Sequence, residues 1–177
     1  YKINLTIELF ILPGYNRYVN KRKIAEYPTP RKDKGVFPIW YILRCEEGKE
    51  RQAAELLKRY YGCSGKDEIF LITFEKMRRY EGSWHFQEET LLRGWIFAEA
   101  ANRKQLEEAA RETAAFRDCG IGEYSLGLLE TEKDFLQEVG GKAHRIAMSK
   151  GYIKDGIPFV TEGPLCGKEW RIQKIDR

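Results

Sequence analysis

Closely spaced cysteines are missing from this sequence. Its four, Cys45, Cys63, Cys119 and Cys166, lie far apart, no CxxC occurs, and only two histidines are present. A zinc site needs tighter ligand spacing, so no metal and no cofactor are expected. Free thiols in a reducing compartment are the default, which gives a cytoplasmic expectation. Long apolar runs are also missing: nothing approaches the roughly 18 residues of a membrane span, so no membrane contact is expected. The stretch Ile3 to Leu12 is apolar but interrupted by Asn4, Thr6 and Glu8. Lys21, Arg22 and Lys23 follow it rather than precede it, unlike a signal peptide. Methionine is scarce, the first being Met77, so the sequence is read as part of a longer product. Catalytic motifs are lacking as well. Nothing around Cys45, Cys63 or His85 forms a nucleophile motif, and Gly120-Ile121-Gly122 lacks the rest of a dinucleotide fingerprint. No catalytic residue is assigned, and an enzyme is not expected.

What is present is a chain of 177 residues with 42% hydrophobic, 33% charged and 13% aromatic content. That rules against bulk disorder and allows one or two small domains. The formal charge of +4 is uneven. Residues 1–36 carry 8 basic and 3 acidic side chains, residues 37–148 carry 17 and 20, and residues 149–177 carry 6 and 4. The ends are basic and the middle slightly acidic. A basic end can contact phosphate or simply be solvated.

Pro13-Gly14 and Pro28-Thr29-Pro30 break regular structure, so residues 1–36 read as a basic tail or linker with at most one short strand. Order starts at Phe37. Trp40 to Cys45 reads as a strand. From Lys49 to Tyr61 the pattern turns helical, with Ala53, Leu56, Leu57, Tyr60 and Tyr61 on one face and Gly62 placed to stop it. Ile69 to Phe74 reads as a central strand covered on both sides, running on toward Tyr80. Glu81-Gly82-Ser83 is a hairpin turn, and Trp84 to Gln87 is the returning strand. Arg93-Gly94 marks a bend before a strand from Trp95 to Ala98. Asn102 caps a helix with a small-residue face, and Cys119 to Gly122 forms the loop after it. Tyr124 to Leu129 gives a further strand. Thr131 and Asp134 resemble a capping box for a helix carrying Phe135, Leu136 and Val139. This order is α+β, an antiparallel sheet flanked by helices. From Ile153 to Ile175 short strands alternate with tight turns. A five-stranded barrel needs roughly 50 residues, so residues 149–177 read as part of one.

Two segments carry a family resemblance. Trp40-Tyr41-Ile42-Leu43-Arg44-Cys45, followed by Gly48 and the amphipathic helix, resembles the opening of a NusG N-terminal (NGN) domain. Asp155 to Arg177, DGIPFVTEGPLCGKEWRIQKIDR, resembles a KOW motif. Between them, Leu92-Arg93-Gly94-Trp95 stands where NusG proteins carry Phe-Pro-Gly-Tyr, and Trp170 stands where a KOW motif has a second glycine. Met148 to Ile153 is most similar to the LoaP subgroup of antiterminators. The resemblance implies an NGN-like domain over 37–140, a linker over 141–148 and a partial SH3-like KOW β-barrel over 149–177.

The resemblance also implies a function: transcription elongation or antitermination, by binding RNA polymerase at the clamp helices and suppressing pausing and termination on selected long operons. It places Trp95 and Phe97 in an apolar polymerase-binding patch, joined by Tyr41 or Leu43 and ringed by Arg44 and Arg93. Trp40 and Tyr41 point to opposite faces of their strand, so only one is expected in the core. Arg78 and Arg79 on the hairpin, with Lys150, Lys154, Lys168, Arg171 and Lys174 in the C-terminal segment, are the candidates for RNA or DNA contact. A complete KOW domain in this family also meets a ribosomal protein or Rho. The alternative is a KOW-bearing protein that binds RNA, or associates with the ribosome, without touching polymerase.

Overall fold

The computed structural model describes residues 3–5, 7–9, 39–61, 68–112 and 125–175. The expected helix stop at Gly62, Cys63, and the loop at 119–122 lie outside them. In chain order the described elements are β1 (Ile3–Leu5), β2 (Ile7–Leu9), β3 (Ile39–Arg44), α1 (Glu50–Tyr61), β4 (Glu68–Phe70), β5 (Thr73–Tyr80), β6 (Ser83–Thr90) and β7 (Trp95–Ala100). They continue with α2 (Arg103–Glu112), β8 (Ser125–Gly127), α3 (Glu130–Gly140), β9 (Arg145–Ile146), β10 (Ser149–Lys154), β11 (Ile157–Glu162) and β12 (Ile172–Ile175). Short 3-10 turns precede β9 and β12. The architecture is mixed α+β, with mostly antiparallel sheets. No helix among the described residues is long and apolar enough to cross a membrane.

The chain divides into two compact units, one of 26–72 and 91–133, the other of 1–25, 73–90 and 134–177. This differs from a linear split into tail, NGN-like domain, linker and barrel segment. The hairpin at 73–90 belongs with the C-terminal residues, and so does the N-terminal stretch.

The 26–72 and 91–133 unit holds a four-stranded sheet in the order β4-β7-β3-β8, every neighbouring pair antiparallel. With α1 following β3 and α2 following β7, this is the strand order of a split β-α-β sheet. Tyr41 and Leu43 of β3, Cys45 just after it, Ile69 of β4, and Ile96, Ala98 and Ala100 of β7 pack with Ala53, Ala54 and Leu57 of α1 and Leu106 of α2. Alternation sends the other residues of the same strands to the opposite face. There Trp40, Phe70 and Phe97 gather, with centroid distances of 4.7 Å for Trp40–Phe70 and 5.7 Å for Phe70–Phe97. Trp40 and Tyr41 are therefore both buried, at 1% and 6% exposure. The expectation that only one enters the core fails because β3 is a central strand with apolar groups on each face.

Local signals explain the helices. The Asn102 side chain accepts from the Lys104 and Gln105 amides at 3.0 and 3.4 Å, capping α2. At α3 the cap sits earlier than the Thr131–Asp134 pattern predicts. Glu132 reaches back so that its Oε2 accepts from the Leu129 N–H at 3.3 Å. Tyr60, expected on the apolar face of α1, lies exposed in its last turn, beyond Leu57.

The predicted strand from Ile69 to Phe74 is two elements. β4 ends at Phe70 as an edge strand, Leu71 and Ile72 break the run, and β5 starts at Thr73 in another sheet. In the second unit β5 pairs antiparallel with β6 and parallel with β9. The β5–β6 turn is Glu81-Gly82, both with positive φ (52° and 77°), the two-residue turn whose twist suits a hairpin. Asp155-Gly156 repeats it between β10 and β11.

Within the expected tail, predicted to hold at most one short strand, Ile3–Leu5 and Ile7–Leu9 are two strands of this unit. β1 runs antiparallel to β10, and β2 antiparallel to β12. Of the C-terminal strands, β10 and β12 have partners from the N-terminal end, while β11 pairs with β10.

Candidate interaction surfaces

The loop between β6 and β7 is anchored from the start of α1. The Gly94 N–H donates to Glu50 Oε1 at 2.6 Å, and the Gly48 N–H donates to the same oxygen at 3.0 Å. Gly94 has φ +77° and an added Cβ would stand 3.3 Å from the Cys45 carbonyl oxygen, which itself is close because the Cys45 N–H donates to the Gly94 carbonyl at 2.8 Å. Burial pushes the Glu50 carboxyl up, but the amides of Gly94, Gly48 and Glu50 itself, with the charge of Arg93, outweigh it and hold the pKa below its ordinary value. Arg93 is thereby presented outward, exposed, with its guanidinium 3.6 Å from Glu47.

Around this loop the expected polymerase patch does not form a surface. Phe97 is 0% exposed and Trp95 8%. Tyr41 and Leu43 are buried on the opposite, helix-covered face. Burial raises the Tyr41 pKa, with Arg103 opposing and Glu107 adding to it. The reason is topological: β3 and β7 are the two inner strands, so their aromatics serve the core. Arg44, opposite Trp95 in the ladder, is exposed. Only the arginines of the predicted patch are surface groups.

The β5–β6 ribbon presents a different surface. Register pairs Arg79 with Trp84 and Met77 with Phe86 on one face, and Arg78 with His85 on the other. Trp84 is 56% exposed and Phe86 52%. Tyr80 stacks on His85 with ring centroids 3.5 Å apart. At the base of the first face Arg145 bonds Glu75 at 2.7 Å and Glu88 at 3.2 Å and lies 5.9 Å above the Phe86 ring. Arg145 offsets one of those two negative charges, and Arg79 stands with the exposed Trp84 ring farther along the ribbon toward the turn. Arg78 and Arg79 are where the sequence placed them. In the sequence Trp84 and Phe86 follow only the alternation of a strand, and the structure exposes both rings on one face.

The β10–β11 hairpin carries a second such face. Tyr152 and Phe159 stack at 5.3 Å and 14°, with Lys154 opposite exposed Ile157. Lys150 is tied to Glu162 at 2.7 Å. Two of the predicted nucleic-acid residues are otherwise engaged. Lys168 is largely covered and bonds Glu138 of α3 at 2.8 Å. Arg171 is sandwiched, its guanidinium carbon 4.8 Å from the Phe135 ring and 4.4 Å from the Trp170 ring. Both charges pack the C-terminal strands onto α3, so neither is a free phosphate contact. Lys174 lies in β12, and its side chain is outside the described residues.

Cys45 is buried and Cys166 exposed. Among the described residues no three His, Cys, Asp or Glu side chains group as metal ligands. The chain matches no family model and no curated protein.

Proposed function

We propose that the chain is a NusG-like transcription elongation or antitermination factor of the cytoplasm, which binds RNA polymerase and suppresses pausing and termination, in the manner of the LoaP subgroup on selected long operons. The observation that carries this reading is the placement of the resembling segments. Trp40 to Arg44 lies in β3, an inner strand of the split β-α-β sheet that leads into α1, and Trp95-Ile96-Phe97 opens β7, the other inner strand. Asp155 to Glu162 is the turn and second strand of the β10–β11 hairpin. In this reading the buried aromatics build the sheet, and polymerase is met by groups around the exposed Arg44 and Arg93. Nucleic acid is met by the cationic, aromatic tip of the β5–β6 ribbon.

A second reading, an RNA-binding protein that does not contact polymerase, draws on the exposed rings beside Arg79 and Lys154, since aromatic faces flanked by cations stack unpaired bases. Capture assays with core RNA polymerase and with single-stranded RNA separate the two. The first reading expects polymerase binding that Arg44→Glu with Arg93→Glu weakens at least tenfold. RNA capture with no polymerase binding overturns it in favour of the second.

A further inference from the structure

We propose that the outer edge of β6 is a self-association site, where a second copy of this chain adds its own β6 antiparallel across a twofold axis at Phe86. The inference goes beyond the proposed function and does not rest on it.

The other edges of these sheets are short or blocked. β4, β8 and β9 are edge strands of three, three and two residues. β11 is an edge of six residues, and it is guarded. The Val160 N–H donates to Glu169 Oε1 at 3.3 Å, and the Val160 carbonyl accepts from Cys166 Sγ at 3.6 Å. Pro158, two positions back on the same edge, has no N–H to offer. β6 is different. It has eight residues, contains no proline, lysine or arginine, and among the described strands pairs with β5 alone. It exposes Trp84 and Phe86 at 56% and 52%. A long edge with exposed apolar side chains and no guard is a template for another strand.

Hairpin geometry sets which backbone groups face outward. Tyr80 and Ser83 close the two-residue turn as a hydrogen-bonded pair, and by alternation so do Arg78 with His85 and Lys76 with Gln87. The N–H and C=O of Trp84, Phe86 and Glu88 therefore point away from β5. In a twofold pairing centred on Phe86, that residue meets the partner's Phe86, and Trp84 meets the partner's Glu88, each pair exchanging both hydrogen bonds. Directly opposed residues share a face, so Trp84 and Phe86 of both copies join in one aromatic surface. Charge fits the same axis. Arg78 and Arg79 outnumber Glu81 at the turn end, while Arg145 and Lys76 offset only two of Glu75, Glu88 and Glu89 at the base. The antiparallel arrangement lays each cationic end along the other copy's acidic base, and the isologous contact closes as a dimer. Neighbouring registers are poorer. Centred on Glu88, the pairing sets two carboxylates directly opposite each other. Centred on Gln87, it sets Phe86 against the partner's Glu88 and loses the ring pair. Centred on His85, it shortens the ladder to Ser83–Gln87.

Sedimentation velocity on the full chain, over a series up to about 100 μM, is expected to show a monomer–dimer equilibrium. Phe86→Lys puts like charges at the axis and should raise the dimer Kd at least tenfold with circular dichroism unchanged. Tyr152→Lys, at an exposed ring of β10, should leave the Kd as it was. Wild-type protein that stays monomeric, which leaves the edge to a partner of another kind, overturns the proposal. So does a dimer indifferent to Phe86→Lys or equally weakened by Tyr152→Lys. The register is read by cross-linking in a Cys63→Ser, Cys119→Ser, Cys166→Ser background. Phe86→Cys places two thiols across the axis, with Cα atoms about 5.5 Å apart, within reach of a disulfide. Trp84→Cys is as exposed, but its two copies stand four residues out of register, roughly 13–14 Å apart along the strand. Mild oxidation is expected to give the interchain disulfide at least tenfold faster for Phe86→Cys. Equal rates overturn the twofold pairing at Phe86.

Discussion

The Glu50 carboxylate and the Gly94 amide, 44 positions apart, meet in a buried hydrogen bond of 2.6 Å. It joins the first turn of α1 to the bend before β7. Hydrogen bonds to an ionised acceptor contribute about 1.5–3 kcal/mol, against about 0.5–1.5 for neutral ones. Glu50→Gln is therefore expected to cost about 1–2 kcal/mol in urea unfolding at neutral pH. The pH dependence has a definite sign. The folded pKa lies below the ordinary 4.5, so the unfolded state binds more protons between the two values. Stability from this group is fully present above pH 4.5 and is lost as pH falls through the folded value. The wild-type curve should fall more steeply with acid in that window than the curve of Glu50→Gln. Parallel curves would remove Glu50 as the anchor.

Phe97 is expected to report on stability rather than on binding. It is fully buried and stacks on Phe70 at 5.7 Å. Phe97→Ala should cost about 3–5 kcal/mol in denaturant unfolding, the sum of lost burial and an incompletely collapsed cavity. Arg44→Glu with Arg93→Glu, at exposed positions, should change the unfolding midpoint little. A Phe97→Ala protein of undiminished stability would show that the ring is not a core group.

The elements were legible because their signals are local. Asn102 caps α2, and Glu81-Gly82 and Asp155-Gly156 turn their hairpins, each by short-range chemistry that a sequence exposes. What a strand's two faces meet is not local. Alternation separates Trp40 from Tyr41, but only the strand order, with β3 and β7 inside, buries both. The same holds for Arg171: a basic residue beside Trp170 looks like a phosphate contact until α3 brings Phe135 to its other side. The pairing of β1 with β10 joins segments almost a chain length apart, and no turn residue announces it. The Ile3-Leu5-Ile7-Leu9 alternation was visible, its partner was not.

The ribbon tip offers a third expectation. If unpaired bases stack on Trp84 and Phe86 beside Arg79, Trp84→Ala should weaken single-stranded RNA binding by about 1–3 kcal/mol. Arg79→Ala should lower the salt dependence of binding by close to one ion. Lys168→Ala, by contrast, removes a charge already held by Glu138 and should leave RNA affinity unchanged while lowering stability. Fluorescence anisotropy over a salt series reads all three variants, and equal losses for Arg79→Ala and Lys168→Ala would refute the distinction between them.

Two glycines of the second unit separate backbone conformation from crowding. Gly163 has φ +101°, and a Cβ there would lie 2.7 Å from both the Ser149 Cα and Oγ. That hydroxyl accepts from the Leu165 N–H at 3.2 Å inside the fold, and Ser149 and Leu165 are each 1% exposed, so neither neighbour can give way cheaply. Gly156 has φ +80° with nothing within 4 Å of its added Cβ. Both alanine variants bear the left-handed penalty of about 1–2 kcal/mol. Only Gly163→Ala adds an overpacking cost of about 1–3 kcal/mol. It should therefore be the less stable of the two in urea by that second amount, with faster hydrogen exchange at Ser149 to Gly151. Equal losses for the two variants would mean that the loop from Gly163 to Gly167 does not press on β10 in solution.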